Sequence, residues 1–118
     1  MTTAELPTDA RPAIDEIRLV GGDELVRESM STFLRFARAR VPQLQDAAET
    51  GDTDTGATIA HTLKSSARQL GALALGDACA SAALSARGGD AAGFVARTAD
   101  AARAFERART WMEPLAKA

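Results

Sequence analysis

The chain has a single histidine, His61, inside the run AHTLKSSARQLGA. An imidazole is partly neutral near pH 7, and its free ring nitrogen is then a nucleophile. On a helix advancing about 100 degrees per residue, with Leu63 at the centre of the buried stripe, His61 points about 160 degrees away. Arg68 falls near about 140 degrees, Ser65 near about 200 and Lys64 near about 100, so one polar face collects all four. Lys64 and Ser65 lie three and four residues after His61, which makes both neighbours of the ring on the helix surface. A nucleophilic nitrogen beside an ammonium suits chemistry in which the ring carries an anionic group. A phosphoryl group on the ring would bring roughly two negative charges, part of which a nearby lysine can offset without a fixed fork geometry.

Composition sharpens that pairing. Of 14 basic residues, 12 are arginine, and only Lys64 and Lys117 are lysine. A chain that otherwise writes its positive charge as arginine sets a lysine beside its one histidine. The acidic residues Asp46, Glu49, Asp52 and Asp54 read as a solvated turn. One histidine and one cysteine, Cys79, do not make a metal ligand set.

The elements that must hold this face follow from periodicity. Residues 1–12 contain two prolines and little periodicity, and are read as a lead-in for which partial disorder is allowed, with a single domain over 13–118. A short helix through Ile14, Ile17 and Leu19 is broken by Gly21 and Gly22, and Asp23 is placed to cap the next helix. Val26, Met30, Phe33, Ala37, Val41, Leu44 and Ala48 then recur at steps of three and four, with a bend expected at Pro42. GDTDTG supplies a polar turn, and Gly56, Ala60, Leu63, Ala67 and Leu70 form the next stripe, closed by Gly71. Leu75, Cys79, Ala82 and Ala86 continue to Gly88 and Gly89, with Cys79 read as a packing residue. The last helix starts near Asp90 and runs through Phe94 or Val95, Thr98, Ala101, Phe105, Ala108 and Met112, with Trp111 and Leu115 covering the end. No alternating β-rich run or hairpin signal interrupts this pattern. The sequence therefore predicts an all-α fold, an antiparallel up-and-down four-helix bundle with a short additional N-terminal helix. Its anchors are Phe33, Leu63, Leu70, Phe94 and Phe105.

Hydrophobic residues are 46% and charged residues 25% of 118, the balance of a folded globular protein. The net charge is -2 with basic residues scattered, which disfavours nucleic-acid binding. The apolar runs fall short of the ~20 residues that span a bilayer, and no membrane association is expected. One cysteine and no leader pattern point to a reducing, cytoplasmic setting.

HTLKSSARQLGA, residues 61–72, resembles the signature of histidine-containing phosphotransfer (HPt) domains. His61, Leu63, Lys64, Ser66, Ala67, Leu70, Gly71 and Ala72 match that pattern. VGGDELVRESMSTFL with Pro42 and Leu44 is similar to the family's second helix, and Cys79 with Arg87 to Asp90 to its fourth. The similar region covers about residues 14–112. Ser65 departs from the glycine most common at its position, which bears on how closely a partner can approach the ring.

The resemblance implies that His61 accepts a phosphoryl group from an aspartyl phosphate on one response-regulator receiver domain and passes it to another. Lys64 would give electrostatic support, and Ser65 clearance and a hydrogen bond. The surface around Thr58, Thr62, Arg68 and Gln69 would meet the receiver, with an apolar rim from the second helix. No intrinsic cofactor is implied, Mg²⁺ coming with the receiver; a hybrid sensor kinase is a second partner. A monomer is expected because one bundle can close its own core. No ATP-binding loop is present, so autophosphorylation is not expected. The phosphoacceptor hairpin of sensor kinases usually has an acidic residue after its histidine, where this chain has Thr62. The alternative function is a helical docking module that binds a regulator without phosphotransfer.

Overall fold

Helix-forming stripes separated by turns of two or three residues dictate the architecture of the computed structural model, which describes residues 5–117. Four helices follow one another: α1 (Arg11–Thr50), α2 (Thr53–Gln69), α3 (Leu73–Arg87) and α4 (Ala91–Lys117), preceded by a 3₁₀ turn at Thr8–Ala10. No strand occurs among the described residues. Each helix lies against the next, and α4 closes the ring against α1, as expected of antiparallel neighbours joined by short connections. The molecule measures 42 × 31 × 23 Å.

The expected short N-terminal helix is the first part of α1. Gly22 is the only α1 residue with non-helical dihedral angles (φ 72°, ψ -167°), so the helix breaks there and restarts immediately. A positive φ is open to glycine at little cost and strained for other residues. Asp23 does not cap the restarted helix; its carboxylate accepts a 2.7 Å hydrogen bond from Arg18 Nε across the break. Pro42 does not divide α1, because helical dihedral angles continue through it.

Asp52 caps α2, its carboxylate accepting from the Thr55 amide at 3.2 Å. That hydrogen bonding from Thr55 holds the Asp52 carboxyl below the usual carboxylate range. Asp90 caps α4, its carboxylate accepting from the Gly93 amide at 2.9 Å.

The expected anchors Phe33, Leu63, Leu70, Phe94 and Phe105 are all buried, with Ile14, Met30, Leu44, Leu75 and Met112 filling the space between them. Two stripe positions shift. Ala47 rather than Ala48 is buried at the end of α1, and Phe94 rather than Val95 turns inward from α4. Trp111 is buried and Leu115 partly buried at the end of the bundle, as the stripe predicts. Cys79 is fully buried, and desolvation pushes its thiol pKa up to about 12, so it packs as a small apolar group.

Of the lead-in, residues 1–4 lie outside the described residues. Further along it, Ala10 is fully buried and lies over Gly71 in the turn between α2 and α3. A Cβ on Gly71 would stand 2.8 Å from the Ala10 carbonyl oxygen, and Gly71 has φ 85°, so this turn needs glycine for both space and conformation.

Candidate functional site

Helix α2 is amphipathic in the sense that its five buried residues, Gly56, Ala57, Ala60, Leu63 and Ala67, face the other helices. His61 is exposed on the opposite face, two residues before the fully buried Leu63. Seventeen hydrogen-bonded residues make this helix a rigid platform, and the imidazole stands near its middle, away from fraying ends.

The neighbours of the ring fall as helical spacing predicts. Lys64 is half-buried and Ser65 exposed. The Ser65 hydroxyl donates to the His61 carbonyl oxygen at 3.3 Å, which turns Oγ back along its own helix. Thr62 and Thr58 do the same one turn apart, donating to the carbonyl oxygens of Thr58 at 3.1 Å and Asp54 at 3.2 Å. Thr58, Thr62 and Gln69 are exposed and share the surface with His61.

Arg68 has a more definite position than the sequence allowed. Its stem crosses to α3, where a Cβ on Gly76 would stand 2.7 Å from Arg68 Cγ, and its guanidinium pairs with Asp77 at 3.3 Å. The missing side chain at Gly76 therefore lets Arg68 tie α2 to α3. Among the described residues Lys64 has no carboxylate partner, whereas Arg68 has one. Of the two cations flanking the histidine, the lysine is the one whose charge is not already matched.

On the α1 side of the same surface lies a groove of about 570 Å³. Thr62, Ser66 and Gln69 form one wall, and Leu25, Ser29, Thr32 and Phe36 the other, with Phe33 and Leu70 also lining it. This supplies the apolar rim expected near the histidine, and assigns it to the part of α1 after Gly22. The contributing α1 residues are spaced four, three and four apart, a second stripe beside the core stripe. Two polar members, Ser29 and Thr32, keep that stripe from standing out in a hydrophobicity pattern.

No group of three or more His, Cys, Asp or Glu side chains among the described residues could hold a metal ion. No helix among them is long and apolar enough to cross a membrane.

An all-helical bundle with one exposed imidazole on a central helix face and a lysine one turn later has the features of the family that the sequence resembles. Comparison with protein families agrees: the Hpt domain profile matches residues 28–111, most of the chain. The chain belongs to the Hpt domain family, the family of phosphotransfer proteins in two-component phosphorelays. A search of curated proteins returns no match, and neither does a search of solved structures.

Proposed function

We propose that this protein is a phosphorelay intermediate in which His61 takes a phosphoryl group from the aspartyl phosphate of one receiver domain and delivers it to the aspartate of another. The observation that carries this reading is the exposure of the lone imidazole on a rigid helix face, beside a lysine with no carboxylate partner among the described residues. In the forward step the His61 Nε2 lone pair attacks phosphorus in line with the acyl phosphate oxygen. A P–N bond forms as the P–O bond breaks, and the electron pair leaves with the receiver's carboxylate. The second transfer is the reverse of this on a different aspartate. Positioning and charge stabilisation dominate such a loose transition state, which a preformed helix face can supply.

Lys64 offsets part of the charge gained by the ring, and Ser65 fixes how closely the partner's backbone approaches it. Thr58, Thr62, Arg68 and Gln69 contact the receiver, and Arg68 also ties the α2–α3 edge through its pair with Asp77. The Mg²⁺ used by the reaction comes with the receiver's acidic pocket. The phosphotransfer domain spans residues 13–118, acts as a monomer, and works in the cytoplasm with receivers and a hybrid sensor kinase.

The test is incubation with receiver domains phosphorylated on aspartate by acetyl phosphate, comparing the wild-type chain with His61→Gln. Acid-labile, alkali-stable phosphate should appear on wild type alone. Label on both proteins, or on neither across a panel of receivers that bind, would leave only the docking module.

A further inference from the structure

Along its edge with α2, helix α3 carries a stripe made of Leu73, Asp77, Ala80 and Leu84, spaced four, three and four apart. The ion pair between Arg68 and Asp77 fixes which way that stripe faces, because the α2 guanidinium reaches the aspartate across the helix pair at 3.3 Å. It also sets the register. The two helices run antiparallel, so the seven residues onward from Asp77 to Leu84 lie beside the seven residues back from Arg68 to His61. Seven residues are close to two full turns, and each step therefore returns to nearly the same face of its helix. Leu84 accordingly stands within a turn of the level of His61, one interhelical spacing of about 8–10 Å away.

Leu63 of α2 and Leu75 of α3 are buried in the core, whereas Leu84 is 70% exposed. A single exposed leucine needs no explanation by itself. This one flanks the imidazole on the side opposite the α1 groove, on the same α2–α3 edge as Lys64, which lies one turn before Arg68. A domain that brings a phosphoryl group to the ring brings its own surface with it. Weak, transient interfaces bury roughly 500 Å² a side, a disc of about 12 Å radius, so a domain centred on His61 covers Leu84 as well.

We infer that Leu84 is a specificity-determining residue for the phosphotransfer, selecting receivers that present an apolar side chain about 8–10 Å from the reacting aspartate. A receiver with a charged or amide group at that place loses its hydration against the leucine and gains no partner there, which rejects it. Leu84 touches none of the reacting atoms and acts only in the docked complex. This inference rests on the receiver partner proposed above.

The experiment uses the receiver domain that exchanges phosphoryl groups fastest with the wild-type chain, loaded with acetyl phosphate. Leu84→Ser should raise KM for that receiver about fivefold and leave kcat unchanged, as loss of binding common to ground and transition states requires. The loss should persist in molar salt, because an apolar contact is not screened. Leu84→Met, which keeps the apolar volume, should stay within about twofold of wild type. Val95→Ser, a matching change at a 51% exposed position on α4, should also stay within about twofold. Across a panel of receivers, Leu84→Ser should narrow the spread of kcat/KM between the best and the poorest. A Leu84→Ser chain indistinguishable from Val95→Ser overturns the inference, as does a Leu84→Met chain as poor as Leu84→Ser, or a spread that stays as wide as in wild type. Faster hydrolysis of phosphorylated Leu84→Ser without any receiver, at unchanged KM, would make the leucine a water shield and overturn it too. A wild-type chain that exchanges phosphate with no receiver fails the carrier reading itself and removes this inference with it.

Discussion

Replacing Lys64 by alanine should slow phosphotransfer without altering the fold, and the size of the effect can be worked out. Residues three apart on a helix have Cβ atoms about 5–6 Å from each other, so the flexible ammonium reaches within about 6 Å of a phosphoryl group on His61. Two negative charges and one positive at that distance interact by about 1.4 kcal/mol in water. With a Debye length of about 8 Å at physiological salt, roughly half of that survives, which is about a threefold effect on the exposed phosphohistidine. A docked receiver excludes water and lowers the local dielectric, which raises the effect towards about tenfold. The transfer rate of Lys64→Ala from an acetyl phosphate-loaded receiver, followed by rapid quench, should therefore fall between about threefold and tenfold. The difference should shrink in molar salt, where the Debye length is about 3 Å. Lys64 is only half-buried and outside the core, so helical content by circular dichroism should match wild type. A transfer rate equal to wild type at low salt would remove Lys64 from the mechanism, and an equal loss at all salt concentrations would refute the electrostatic account.

Two further outcomes test the scaffold. The carboxyl of Asp52 is depressed by hydrogen bonding from Thr55, so its contribution to stability is present above the ordinary carboxylate range and is lost as pH falls through the lowered folded-state value. Asp52→Ala should thus lower Tm at neutral pH, and its curve should converge on wild type in acid; a difference that persists or grows on acidification would contradict the cap. Gly56 is buried in α2 where an added Cβ would run into the fully buried Phe94 ring. Gly56→Ala should destabilise by about 1–3 kcal/mol of overpacking, less up to about 1 kcal/mol regained from helix propensity. Urea titration would show it, and a smaller loss in a Phe94→Leu background would confirm that the ring is the obstacle; a stabilised Gly56→Ala chain would refute it.

The sequence by itself determined the helices and the face that carries His61. Helical periodicity is a local property, so the stripe from Gly56 to Leu70 already turns His61, Ser65 and Arg68 outward and Leu63 inward, and the buried anchors follow from the same rule. Where two local signals competed, packing decided. Spacing made Asp23 the cap of the helix after the glycine break, and the break did take the positive φ of Gly22, while the aspartate went to Arg18. Arg68 could be left in solvent by any rule of spacing; only the approach of α3, with no side chain at Gly76 and an acid at Asp77, decided where its charge goes. The groove was beyond one-dimensional reading for the same reason. Its walls come from residues some thirty positions apart, and Phe36 and Thr62 line one groove only once α1 and α2 are laid side by side. Periodicity tells each residue which way to face along its own helix, whereas its neighbour across a helix pair is set by how two surfaces interlock, and that is a property of the assembled bundle.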